Sequence, residues 1–291
     1  MALVVNATID VEGLDFTYPG NRERTLRALD FQVHSGEILG LLGPSGSGKS
    51  TTQRILIGLL QGWKGNIRVR GQDLARYGTE YYESIGVSFE LPNHFNKLTG
   101  IENLRLFAAL YDQDTRDPME LLELVDLAGA AHQRLSDWSK GMRMRLNFVR
   151  ALLPNPEILF LDEPTSGMDP ANARRIKNLI LDLRSRGCTV FLSTHNMTDA
   201  DELCDRVAFI VDGGLRAVDT PRSLKVGQGA RRVVVESRRE GRLERAEFPL
   251  VDLGRNEAFL QLLREADVET IHTQEATLED VFLATTGRAL T

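Results

Sequence analysis

Gly43-Pro44-Ser45-Gly46-Ser47-Gly48-Lys49-Ser50, with Thr51 behind it, is the stretch that decides the fold of this chain. Glycines at these positions let backbone N–H groups turn inward around phosphate oxygens. A helix starting at the lysine adds partial positive charge at the same place. In this pattern Lys49 reaches the β- and γ-phosphates of a nucleotide, and Ser50 offers its hydroxyl to Mg²⁺. A flexible glycine loop ahead of a helix has the same composition, so the flanks must decide. Before the loop, Ile38 to Leu42 is a short apolar run that suits a buried strand. After it, Lys49 to Leu60 reads as a helix. Both flanks are those of a phosphate-binding loop.

Working outward, Ile158-Leu159-Phe160-Leu161 is another buried strand, and Asp162-Glu163 emerge at its C-terminal end. Ligands of open α/β sheets bind at that edge. Asp162 is placed to hold Mg²⁺ through water, and Glu163 to polarise an attacking water as general base. Alone, this pair reads equally well as a solvated acidic turn. Beside the phosphate loop it reads as chemistry. Trp138-Ser139-Lys140-Gly141-Met142 opens an amphipathic segment that stops at Pro154. Ser139 is a natural N-cap, and by itself the stretch is only a helix start.

The rest of the chain alternates strands and helices, the pattern of a layered α/β fold. ATIDVEGLDFTYPG reads as a strand ending in a Pro-Gly turn, and LRALDFQVHSGE as a second strand ending at Ser35-Gly36. NIRVRG and SIGVSFE form a further strand pair, and a helix begins near Thr99 and another over 118–128. Asp169-Pro170 starts a helix whose apolar stripe is Ile176, Leu179, Ile180 and Leu183, ended by Gly187. CTVFLS is a third buried strand, and RVAFIVDGGLRAVDT a hairpin. From about Pro221 the character changes. The strands RRVVVES, RLERAEFPLV and VETIHTQEA and two helices predict a small α+β appendage over 221–291. Its arginines between 231 and 245 alternate with glutamates, as on a solvated face.

The ordered set GPSGSGKST, WSKGM, ILFLDE, SGMD and STH resembles the ATP-binding cassette (ABC) ATPases, from about residue 8 to 220. The resemblance implies an α/β P-loop NTPase fold with a RecA-like core, an antiparallel β subdomain and a helical subdomain at about 91–155. It implies ATP and Mg²⁺ as ligands and ATP hydrolysis as the activity. Gly43, Pro44, Ser45, Gly46, Ser47, Gly48, Lys49, Ser50 and Thr51 would hold the phosphates, with Ser50 and Asp162 toward the metal. Tyr18 would stack on adenine. Glu163 would be the base and His195 would contact the γ-phosphate. Two such domains would face head to tail, so Ser139 and Gly141 would reach ATP on the opposite subunit and Asp169 would sit at the seam.

There are departures from the family pattern. Lys140 and Met142 replace two signature residues, as in ATPases paired with two-component exporter permeases. Glu90 stands where a glutamine is usual; it offers a charged oxygen and no N–H donor. Glu90 is carried over as a catalytic and metal-site residue. Leu91 to Thr99 would face a membrane partner's coupling helix, with Phe95 and Leu98 as exposed anchors. The tail, with TPRSLK and TLEDVFLATTGR, resembles the same exporter branch.

Size and composition agree with these expectations. The chain has 291 residues and a formal net charge of −6, with no footprint for nucleic acid. Soluble ABC ATPases that act on nucleic acid or ribosomes are the alternative, but those carry coiled-coil insertions or two nucleotide domains. Cys188 and Cys204 read as reduced thiols, and MALVVNATIDVEG is not a signal peptide. No apolar run approaches the roughly 20 residues that span a bilayer. The expectation is therefore an exporter ATPase at the cytoplasmic face of the membrane, bound to a separate permease of about six helices. It would pair with a second ATPase subunit, most simply a homodimer, and export a drug, antibiotic, peptide or lipid.

Overall fold

The computed structural model describes residues 7–228, 232–239, 242–274 and 276–288. Residues 1–6 of the stretch read as lacking a leader lie outside these, as do Arg231 and Glu275 of the predicted tail strands. The chain divides into two compact units, Met1–Asp219 and Thr220–Ala289.

The first unit runs β1 (Ala7–Phe16), β2 (Leu26–His34), β3 (Ile38–Leu42), α1 (Lys49–Leu56), β4 (Lys64–Val69), β5 (Gln72–Asp73), α2 (Glu80–Ser84) and β6 (Ile85–Ser88). It continues with α3 (Gly100–Ala108), α4 (Pro118–Leu124), α5 (Lys140–Arg150), β7 (Ile158–Asp162), α6 (Pro170–Ser185), β8 (Thr189–Thr194), α7 (Met197–Leu203), β9 (Arg206–Val211) and β10 (Gly214–Asp219). Two sheets form. One is antiparallel, in the order β2-β1-β4-β5. The other has the order β10-β9-β3-β8-β7-β6, parallel from β9 to β6 with β10 antiparallel at the edge.

β3, β7 and β8 are buried at every position, as strands covered on both faces must be. Their continuous apolar runs are what made them visible in the sequence. NIRVRG and SIGVSFE do not pair with each other. β4 alternates exposed and buried residues on the antiparallel sheet, whereas β6 is nearly all buried and pairs with β7. One core joins the sheets: Phe191 stacks on Phe31 at 6.1 Å and lies 6.0 Å from Phe160. Burying each such ring stabilises the fold by about 1.5–3 kcal/mol.

Helix ends follow local chemistry. Ser139, Asp169 and Asn196 cap α5, α6 and α7 by accepting backbone N–H bonds. Three helices are shorter than the sequence predicts. α1 stops at Leu56 because Gly58 turns left-handed, at φ 77°. α4 ends at Leu124 ahead of the left-handed Asp126, with only a 3₁₀ turn at Ala128–Ala130. α5 ends at Arg150 rather than reaching Pro154.

The second unit comprises α8 (Pro221–Gln228), β11 (Arg232–Arg239), β12 (Arg242–Pro249), α9 (Glu257–Glu265), β13 (Asp267–Gln274) and α10 (Leu278–Thr286). Its antiparallel sheet has the order β12-β11-β13. Phe259 of α9 packs against Val233 and Val235 and meets Phe248 edge-on at 5.3 Å. Thr277 and Asp280 form a reciprocal capping box at α10. At its surface Arg232 and Arg245 pair with Glu247, and Arg238 with Glu269.

Candidate active site

The parallel sheet brings the motifs together. β3, β8, β7 and β6 are neighbours, and each delivers its C-terminal end to the same edge. The glycine loop follows β3, His195 follows β8, Asp162 ends β7 and Glu90 lies two residues beyond β6. Together they line an open cleft of about 710 Å³, with Tyr18, Thr25, Ser45, Gly46, Gly48, Lys49, Ser50, Thr51 and Glu163.

The loop is held from within. Lys49 Nζ donates to the carbonyls of Gly43 and Pro44 at 2.7 and 3.0 Å. Burial lowers the Lys49 pKa, while Glu163, Asp162 and Glu90 oppose that by favouring its charged form. Gly48 has φ 111°, a backbone that only glycine adopts without strain. Gly43 has a different reason. A Cβ there would lie 2.2 Å from the carbonyl oxygen of Ile210 and 2.8 Å from Ser47 Oγ. Because the nearer atom is backbone, Gly43→Ala is expected to cost about 1–3 kcal/mol. That lowers the thermal midpoint by roughly 2–12 °C, and a melting curve of the variant checks it.

The acidic corner is fixed from β8. Ser193 Oγ donates to Asp162 Oδ1 at 2.5 Å. Glu163 sits at φ 49°, which turns its carboxylate back onto the end of β8. There Glu163 Oε2 accepts from Thr194 Oγ1 at 2.8 Å. Glu163 Oε1 accepts from the His195 N–H at 2.9 Å and lies 2.6 Å from His195 Nδ1. Ser193 and Thr194 were not singled out in the sequence, although STH contains both. Tyr18 is braced by Phe16, edge-on at 5.0 Å, and its hydroxyl lies 3.2 Å from Thr51 Oγ1.

Gly43, Pro44 and Ser47 support the loop without lining the cleft, and Ser139, Gly141 and Asp169 lie outside its lining. Ser139 caps α5, accepting from Met142 N at 3.2 Å. Asp169 accepts from Asn172 Nδ2 and from the backbone N–H groups of Asn172 and Ala171. These bonds, led by the Asn172 side chain, hold its pKa below the usual carboxylate value.

A second surface lies behind Glu90. Asn93, His94, Phe95, Leu106, Phe107 and Leu110 line a groove of about 400 Å³. Phe95 and Leu110 are 54% and 72% exposed. Leu98, expected as an exposed anchor, is half-buried, and its carbonyl accepts from Leu135 N. Leu106 and Leu110 take that place on the surface.

Fold and cleft define a phosphate-loop nucleotide hydrolase. Family models match residues 26–166 as "ABC transporter" and residues 231–275 as "Fluoroquinolone efflux ABC transporter C-terminal domain". A fluoroquinolones export ATP-binding protein of Mycobacterium tuberculosis (strain ATCC 25618 / H37Rv) is 56% identical over 291 residues, covering 100% of this chain and 97% of that protein. A daunorubicin resistance ATP-binding protein of Streptomyces coeruleorubidus is 33% identical, covering 98% and 97%. Among solved structures, the ATP-binding subunit of an ABC transporter superposes with TM-score 0.68 at 28% identity, covering 76% of this chain and 92% of that one. A dimeric ATP-binding cassette with ADP and Pi bound superposes with TM-score 0.67 at 25% identity, covering 73% and 98%. The chain belongs to the ABC transporter ATP-binding subunits, and its activity is ATP hydrolysis.

Proposed function

We propose that this chain powers export of a drug through a separate permease, with fluoroquinolone-like compounds as the first class to test. The observation that carries this reading is the end-to-end likeness to a fluoroquinolones export ATP-binding protein, second unit included. Residues 1–220 act as the nucleotide-binding domain, with 91–155 as its helical part, and 221–291 as an accessory domain. The ATPase works at the cytoplasmic face of the membrane. Among the described residues no helix is long and apolar enough to cross a bilayer; in this reading the membrane path belongs to a separate permease of about six helices.

In this reading the loop from Gly43 to Thr51 binds the phosphates, Lys49 neutralises them and Tyr18 stacks on adenine. Glu163 takes the proton of the attacking water, and His195 orients it and the γ-phosphate. Ser50, Asp162 and Glu90 supply only oxygen donors, a set that suits Mg²⁺ shared with substrate phosphates. When bound, Mg²⁺ neutralises charge building on those phosphates. Ser139 and Gly141 at the start of α5 close over ATP held by a second copy, with Asp169 at the seam. A homodimer accounts for both sites.

The groove at Phe95 and Leu110 suits a short amphipathic helix of the permease. Co-expression with a permease encoded nearby should yield a complex that lowers fluoroquinolone accumulation in cells. Leu110→Asp should abolish copurification and efflux, while ATP binding by the chain stays within about twofold, since one buried interface charge is worth several kcal/mol. Efflux at the wild-type level without the permease would sink the exporter reading.

A further inference from the structure

Two side chains of α5, Asn147 and Arg150, bond to the segment that carries Glu90, and the backbone of Arg143 adds a third contact from the same helix. The Arg143 carbonyl lies 3.0 Å from His94 Nε2. Asn147 Nδ2 donates to Ser88 Oγ at 3.0 Å and to the Phe89 carbonyl at 2.7 Å. Arg150 donates to the Asn93 carbonyl at 2.7 Å and to Asn147 Oδ1 at 2.8 Å. The Arg150 guanidinium also stands over the Phe107 ring, 4.5 Å from its centroid, and Phe107 lines the apolar groove.

Asn147 is fully buried in the middle of this arrangement. Its amide is used at both ends: the nitrogen grips the last strand residue and the peptide before Glu90, and the oxygen takes the arginine that touches the groove. A buried polar group with every bond directed this way fixes backbone position. Glu90 itself is exposed in the cleft.

We infer that Asn147 is a positioning residue for Glu90, holding the Phe89–Glu90 peptide at the hydrolytic site and tying it to the helix that begins at Ser139. The inference rests on the assignment of Glu90 to that site. It makes α5 a rigid link. One end carries the residues that reach a partner's ATP, and the middle carries the clamp on the chain's own cleft. Arg150 extends the clamp to the groove floor.

The test is a double-mutant cycle on the full chain, following phosphate release from radiolabelled ATP so that low residual rates are resolved. Asn147→Ala should lower kcat by roughly ten- to a hundredfold, as loss of groups behind a metal-site ligand does, with KM for ATP within about twofold. In a Glu90→Ala background Asn147→Ala should add nothing. Losses that multiply, a change in KM alone or an unchanged kcat would overturn the inference. Should Asn147→Ala not fold, Ser88→Ala breaks the clamp from the strand side and enters the same cycle. Its loss should be smaller and should likewise vanish without Glu90. Wild-type turnover in Glu90→Ala would overturn the Glu90 assignment and this step together. Multiplying losses beside a real Glu90→Ala defect would overturn the Asn147 step alone.

Discussion

Glu163→Gln is expected to lower ATP turnover by roughly 10²- to 10⁴-fold, the range contributed by a positioned general base, with ATP affinity little changed. The geometry explains the separation. The Glu163 carboxylate takes three contacts at the end of β8: the Thr194 hydroxyl, the His195 N–H and His195 Nδ1. Glutamine keeps an oxygen for the His195 N–H and turns its NH₂ to the Thr194 hydroxyl, which accepts as readily as it donates. The corner survives and the proton acceptor does not. Steady-state ATPase assays beside nucleotide titration check this. Turnover within threefold of wild type would remove Glu163 from the role of base.

Lys49→Ala is expected to weaken ATP binding by roughly thirty- to several-thousand-fold, the loss of about 2–5 kcal/mol typical of truncating one partner of a desolvated charge contact. Lys49 is the one Lys or Arg among the described residues lining the cleft, which also holds Glu90, Asp162 and Glu163. Without it three carboxylates face the phosphates with no cation from the protein. The Gly43 and Pro44 carbonyls also lose their shared donor, which loosens the loop. Calorimetric titration with ATP and Mg²⁺ measures the loss. Circular dichroism separates it from unfolding, and affinity within fivefold of wild type would refute the assignment.

How much of this was legible in the sequence depends on distance along the chain. The loop from Gly43 to Thr51 is contiguous, so its spacing together with the strand before it and the helix after it reads as a phosphate site. The strand before Asp162 is legible because burial on both faces leaves an unbroken apolar run. Helix caps at Ser139 and Asp169 are local and read correctly. The partners of Glu163 were harder: Thr194 and His195 lie 31 and 32 residues away, and only the parallel pairing of β7 with β8 brings them close. The Asn147 clamp spans 58 and 59 residues and looks in the sequence like a polar interruption of an amphipathic helix. Leu98 is half-buried where the sequence suggested an exposed anchor, because its loop is tied by a backbone bond to the distant Leu135, a pairing that residue type does not reveal. The assignment of NIRVRG and SIGVSFE to different sheets likewise depends on long-range pairing.

The left-handed backbone at Glu163 has a consequence for how robust this protein can become. A residue with a side chain adopts that conformation at a cost of about 1–2 kcal/mol, which glycine is spared. Here the costly conformation aims a carboxylate at β8. The bonds of that carboxylate to Thr194 and His195 offset the backbone cost. Glycine at position 163 would be spared the cost but would lose those bonds together with the carboxylate, so the strain there has no remedy that keeps the corner intact.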